Sequence, residues 1–372
     1  MKILYVTTVG ITMCFFKSFI RQLIDEGHEV HIATNETESM IPNYYREWGC
    51  RIFSLSCSRT PLNKGNLKSI GEIKKLVKEK GYDLVHCHTP IAAACTRLAC
   101  SGLRKNGVKV LYTAHGFHFY NGAPIKNWLI YYPIEKLCAY FTDVLITINQ
   151  EDYALALKRF KAKKVIYVPG VGVDFDQFSV PEVGRNEKRE ALGIPEDATI
   201  LLSVGEVNDN KNHQVIISAM HLLADENVHY LIAGRGGKTA ELKHLAASLG
   251  LEERVHFLGF RSDIPELCLA ADVFCFPSKR EGLGLASLEA MSFGLPLLTS
   301  NVHGINDYSE SGVTGYKYAP LDAAGFAEGM KKLIDKPEIR KEMGEHNRNA
   351  VKKYSISNVL PIMQDLYKST QN

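Results

Sequence analysis

Short apolar runs recur along this chain, and each is followed by a stretch whose apolar residues repeat every three or four positions. Strand then helix, many times over, is the pattern of parallel α/β domains, because a parallel strand pair needs a crossover long enough to hold a helix. In the first half, strands are expected at 2–7, 29–34, 50–55, 84–88, 109–114, 144–148 and 164–169. Helices are expected between them, as over 15–26, closed by Gly27, and over 67–80 and 92–103. A charged segment, 180–197, carries Pro181 and Pro195 and reads as a linker leading into a helix. The pattern then restarts with strands at 200–205, 229–234, 255–259, 273–277 and 296–300. The expected organisation is two doubly wound domains, 1–180 and 181–354, and a C-terminal helix, 355–372, packing back on the first domain. Facing across a cleft, such domains bind ligands at the carboxyl ends of their strands.

Two domains of ordinary size account for 372 residues. A chain with 45% hydrophobic and 23% charged residues is globular, not disordered. No apolar run reaches the ~18–20 residues of a membrane span. The opening ILYVTTVGITMCFF imitates a secretory leader, but Thr7, Thr8, Gly10 and Thr12 interrupt it and no small-residue cleavage site follows. The nine cysteines contain no C-x-x-C pair, which speaks against zinc and for reduced, mostly buried thiols in the cytoplasm. Charge is uneven. Residues 1–180 hold 23 Lys+Arg against 15 Asp+Glu, a net of +8, whereas 181–372 hold 21 against 26, a net of −5. A basic first half suits an anionic partner. Nucleic acid is disfavoured, since no aromatic-interleaved basic motif appears.

The chemistry is densest at 277–296, PSKREGLGLASLEAMSFGLP. It reads as strand, glycine-bearing loop, helix N-terminus. Free amides there, with the helix dipole, make an anion site suited to a diphosphate, with Leu285 and Ala286 as donors. Glu281 in the loop and Glu289, about one turn into the helix, are placed to accept hydrogen bonds from sugar and ribose hydroxyls. Asp272, Phe274, Pro277, Ser278, Glu281, Gly282, Gly284, Glu289, Ala290, Met291, Gly294 and Pro296 together resemble the Glu-x7-Glu block of the retaining glycosyltransferases of family 4. The resemblance runs over nearly the whole chain. It implies the GT-B fold: two Rossmann-like, doubly wound α/β domains facing across a cleft.

In that family a stretch reading VGR-x-x-x-x-K faces the donor diphosphate. Here it is SVGEVNDNK, so Lys211 matches the lysine while Glu206 stands where the family has Arg. A carboxylate cannot make that phosphate contact, and Arg235 is the candidate to replace it. The nucleotide would rest on 258–263, with Phe260 and Arg261, and Glu289 would hold its ribose. In YTAHGFHFY, His115 matches the family's histidine beside the transferred sugar, with His118 close enough to confuse the assignment. His88 is expected to support the cleft and not to act on substrate. Gly10 is the candidate for the family's glycine against the diphosphate. The aromatic and basic segments 15–24 and 125–141 suit either the core or a membrane interface. Asp174-Phe175-Asp176 imitates a metal-binding D-x-D of another glycosyltransferase fold, but hard cations need more oxygen ligands than this stretch offers.

The resemblance thus implies a metal-independent, cofactor-free hexosyl transfer with retention, from a nucleotide sugar, expected UDP-linked, to a saccharide acceptor. His115, Glu281 and Lys211 are the candidates for catalysis. Gly10, Glu206, Arg235, Phe260, Arg261, Gly282, Gly284, Leu285, Ala286 and Glu289 are those for donor binding. The acceptor expected is lipid-diphosphate-linked, in capsule, exopolysaccharide or O-antigen assembly, with the enzyme peripheral on the inner face of the cytoplasmic membrane and touching its anionic surface. Two rivals share the fold: a sugar-nucleotide epimerase, and a non-catalytic partner in a polysaccharide assembly complex.

Overall fold

The computed structural model describes residues 1–177 and 183–370. The chain divides into two units, Met1–Gly172 with the segment from Ile356 onward, and Val173–Ser355. The start of the expected linker, Pro181 and the 180/181 boundary lie outside the described residues.

Unit 1 carries a parallel sheet of β1 (Lys2–Val9), β2 (Glu29–Asn35), β3 (Arg51–Ser54), β4 (Leu84–His88), β5 (Lys109–Ala114), β6 (Val144–Thr147) and β7 (Lys164–Tyr167), in the order β3-β2-β1-β4-β5-β6-β7. Unit 2 carries β8 (Thr199–Val204), β9 (Val228–Ala233), β10 (Val255–Gly259), β11 (Val273–Phe276), β12 (Leu297–Ser300) and β13 (Gly315–Tyr318), ordered β10-β9-β8-β11-β12-β13. Both orders reverse beside the unit's first strand, which is the switch point where doubly wound folds open a crevice. The inner strands are apolar almost without a break because helices cover both faces; Ile3, Leu4 and Val6 of β1 and Leu201 and Leu202 of β8 are fully buried.

Three local differences from the sequence reading have physical causes. The helix expected from residue 15 begins only at Lys17, after a 3-10 segment, Gly10–Phe16. The buried residues of that segment are Gly10, Met13 and Phe16, spaced by three, which is the 3-10 period. Strand β13 lacks a strand signal in the sequence because it is a four-residue edge whose last three side chains are only half-buried. The two segments with ambiguous faces separate. The helix Lys17–Asp25 turns Phe19, Ile20 and Leu23 inward and leaves Lys17 and Arg21 outside. The helix Ile125–Ala139 leaves Ile125, Leu129, Ile130, Ile134 and Leu137 exposed, Ile125 at 77% and Leu129 at 71%. Its inner side is held by Glu135, which pairs with the buried Arg97 at 2.8 Å.

The helix Ile356–Ser369 belongs to unit 1. Val359, Met363, Leu366 and Tyr367 recur at helical spacing and are buried. Tyr367 hydroxyl meets the Tyr5 hydroxyl and lies 2.7 Å from His86 Nδ1. All nine cysteines are free thiols, and of them Cys14 alone is exposed.

Candidate functional site

In unit 2 the site residues collect at the carboxyl ends of β8 to β12. The loop after β8 is shaped by asparagines that the motif reading passed over. Asn208 Oδ1 accepts from the Lys211 amide at 2.9 Å, and Asn212, at φ +57°, donates to the carbonyls of Pro277 and Pro320. Asn210 donates to the carbonyl of Arg280 at 3.0 Å, and the Lys279 amide donates back to Asn210 at 2.8 Å. The alternation N-x-N-x-N around Lys211 is the signal, since asparagine side chains make local turns. This lacing brings the lysine loop against the Glu281 loop. Lys211 Nζ donates to Glu281 Oε2 at 2.7 Å and sits over the Phe276 ring at 4.4 Å. Both side chains keep 21% of their surface, so the pair is accessible yet mostly shielded.

Gly284 caps the next helix, Leu285–Ser292, at φ +94°. That conformation suits glycine, and a Cβ there would stand 2.6 Å from the Phe276 ring and 2.8 Å from Tyr308 hydroxyl. Gly282 lies under the following loop, whose Gly304 amide donates to the carbonyl of Glu281 at 3.1 Å. The first-turn amides of Leu285 and Ala286 have no carbonyl within the helix to meet. Glu289 lies on the same helix, half-buried and with no side-chain hydrogen bond among the described residues. Burial pushes its carboxyl above the ordinary range.

Glu206 and Arg235 are exposed at the ends of β8 and β9. The Arg235 guanidinium lies 5.9 Å from the centroid of Phe260, whose ring is 72% exposed. Arg261 is committed elsewhere: its fork meets both oxygens of Asp263, which Lys188 also contacts. The loop ends run close, because a Cβ on Gly234 would meet the Gly205 carbonyl at 1.7 Å.

Gly10 and His115 belong to unit 1. Gly10 is buried with its Cα against the backbone of 39–41, where a Cβ would lie 2.5 Å from the Ser39 carbonyl. Close packing therefore accounts for that glycine. His115, half-buried after β5, places Nε2 3.1 Å from Nδ1 of the buried His88. Burial lowers the His115 imidazole to about 4 and the His88 imidazole well below its usual value, so both are neutral near pH 7. His118 turns aside, its ring 4.5 Å from Tyr131 and its carbonyl accepting from Asn127. The sequence reading missed His86, Tyr367 and Phe16 as supports of this pair. Phe16 stacks on His88 at 4.0 Å, and His86 lies 4.1 Å from it. A small cavity of about 10 Å³, room for roughly one water, lies among Tyr5, Phe16, His86, His88 and His115.

Among the described residues, no group of three or more His, Cys, Asp or Glu side chains is arranged to hold a metal ion. Among the same residues, no helix is long and apolar enough to cross a membrane.

Residues 184–350 match the family described as glycosyl transferases group 1, and residues 2–149 match glycosyl transferase 4-like. The chain is 37% identical to EpsD of Bacillus subtilis (strain 168), a glycosyltransferase by assignment, over 99% of this chain and 96% of that one. It is 30% identical to the UDP-Gal:alpha-D-GlcNAc-diphosphoundecaprenol alpha-1,3-galactosyltransferase of Escherichia coli, over 81% of this chain and 79% of the relative. The structure of Anabaena HepE in complex with UDP superposes with a TM-score of 0.82 at 19% identity, covering 99% of this chain and all of the other.

Proposed function

Since the chain belongs to the group 1 glycosyltransferases, we propose that it moves a sugar, with retention of configuration, from a UDP-sugar to a lipid-diphosphate-linked saccharide. Its two Rossmann-like units are those of the GT-B fold. The observation that carries the proposal is the Lys211–Glu281 pair beside the free helix N-terminus at Leu285. The Lys211 ammonium is matched by one carboxylate, Glu281. An incoming diphosphate competes for it with more charge and gains the Leu285 and Ala286 amides as further donors. Glu281, released toward the sugar, accepts from its hydroxyls. Glu289, half-buried on that helix, takes the ribose diol by accepting from its hydroxyls. The exposed face of Phe260, beside Arg235, is offered to the base.

In this reading Glu281 binds the sugar's hydroxyls and forms no covalent bond to it, and transfer runs on one face of the sugar. The bond from the anomeric carbon to the diphosphate oxygen breaks, and the acceptor oxygen bonds the same face. The acceptor's proton passes to the departing diphosphate oxygen. Lys211 and the helix N-terminus stabilise the charge left on the diphosphate, which is why no metal ion and no cofactor is needed in this reading. His115 hydrogen-bonds the substrate as a neutral imidazole. The acceptor class is supported by the similarity to the diphosphoundecaprenol-dependent relative, and the setting is cell-surface polysaccharide synthesis. The lipid carrier puts the enzyme on the inner face of the cytoplasmic membrane, held peripherally.

The test is thermal shift and calorimetry with UDP, GDP and ADP, with and without EDTA, on wild type and Glu289→Ala. UDP should raise the melting temperature equally in EDTA, and the variant should lose most of that rise. Stabilisation by GDP or ADP alone would overturn the choice of base, and dependence on added metal would overturn the electrostatic mechanism. Absence of any nucleotide binding would favour the assembly-partner role, with Glu206 in place of the phosphate-binding arginine.

A further inference from the structure

We propose that His88 is a positioning residue for His115, locking its imidazole in the tautomer that carries the proton on Nδ1. This rests on the reading of His115 as a substrate contact.

One proton lies between His88 Nδ1 and His115 Nε2, 3.1 Å apart. Its owner follows from the far side of His88, where Nε2 is buried and has no protein partner among the described residues. If His88 accepted at Nδ1, its own proton would sit on Nε2, where no protein acceptor lies among the described residues. Orphaned buried donors are rarer and costlier than a bare acceptor. His88 therefore carries Nδ1–H and donates to His115 Nε2. His115, neutral, keeps its proton on Nδ1, which has no partner among the described residues. The partner nitrogen sets the tautomer, as in histidines that ligate metals or act in catalysis.

The rest of the cluster holds His88 still. Phe16 stacks on its ring at 4.0 Å and Tyr5 at 5.4 Å. His86, at 4.1 Å, is itself pinned at both nitrogens, by Tyr367 hydroxyl at 2.7 Å and Thr113 Oγ1 at 2.8 Å. Flipping the His88 ring would bring a carbon, not a nitrogen, to His115. The result is a His115 that offers an N–H to substrate and no lone pair. Such a group orients a hydroxyl or phosphoryl oxygen by donating to it. It cannot take the acceptor's proton, which agrees with transfer of that proton to the leaving diphosphate.

The experiment is nitrogen-15 histidine spectroscopy on the free full-length protein, joined to kinetics with a UDP-sugar and a lipid-linked acceptor. Wild-type His115 should show a protonated Nδ1 and a bare Nε2. In His88→Phe it should revert to the Nε2–H form that an unconstrained neutral imidazole favours, and kcat should fall on the order of tenfold with donor KM held within about twofold. His88→Asn, whose amide can donate to Nε2, should restore most of kcat. Wild-type His115 protonated on Nε2 would overturn the proposal, as would His88→Phe with wild-type kcat or His88→Asn no better than His88→Phe. His115→Ala turning over at the wild-type rate would instead remove the reading of His115 as a substrate contact, whatever the spectra show.

Discussion

Burial holds three imidazoles of unit 1 neutral: His86 at about 3, His115 at about 4 and His88 well below the usual value. In the unfolded chain each titrates near 6.5. Between the folded and unfolded values the unfolded state binds more protons, so stability is complete above pH ~6.5 and is lost as pH falls below it. Each group adds a slope of up to about 1.4 kcal/mol per pH unit in that window. Denaturant melts at pH 7.5, 6.0 and 5.0 should therefore steepen toward acid, and His86→Gln should flatten the slope; an unchanged slope would refute the assignment. The meeting of Lys211 with the Glu281 loop was legible because Glu281 sits in one contiguous run, Pro277 to Pro296, with Lys211 on the parallel loop beside it. The support of His115 was not, because His86 meets Tyr367 across 281 positions of chain and no local pattern records that contact.

At the scale of elements, strand and helix alternation was readable wherever a strand was buried on both faces, and unreadable at the half-exposed edge β13 and in the 3-10 segment before Lys17. Periodicity also left the faces of two helices undecided, since an apolar stripe looks alike against a core or a lipid. The helix Ile125–Ala139 packs Trp128, Tyr131 and Tyr132 on the core and presents its isoleucines and leucines outward, with Lys126 and Lys136 as the charged residues beside them and its glutamate, Glu135, turned inward. Apolar residues flanked by lysines and no exposed acid fit an anionic bilayer. Each side chain entering lipid contributes about 1.5–3 kcal/mol. The double change Leu129→Gln, Ile130→Gln should lower sedimentation with anionic-lipid vesicles at least tenfold and leave the UDP-induced thermal shift as it was. Vesicle binding by the variant equal to that of wild type would refute membrane contact through this helix. Asn127 of this helix also donates to the carbonyl of His118, so the same element braces the loop that carries His115.

For the whole molecule, the two-unit organisation followed from the restart of the strand pattern, while the discontinuity of unit 1 depends on a single helix, Ile356–Ser369. Removing it strips Val359, Met363, Leu366 and Tyr367 from unit 1, a loss on the order of several kcal/mol. Both tryptophans, Trp48 and Trp128, lie in unit 1, so their fluorescence reports that unit alone. A chain ending at Ser355 should melt at least about 10 °C lower by tryptophan fluorescence. If the proposed donor site is right, its calorimetric response to UDP should persist, because Lys211, Glu281 and Glu289 lie in unit 2; an unchanged fluorescence midpoint would show the helix to be dispensable. The same feature sets an order of events during synthesis. The seven strands of unit 1 leave the ribosome first, yet the segment that covers Tyr5 and His86 is translated only after the whole of unit 2. Unit 2 is contiguous and can close as soon as Ser355 is out. The unit whose synthesis ends first is thus the contiguous unit 2, and the growing polypeptide carries an open histidine cluster until the helix Ile356–Ser369 arrives.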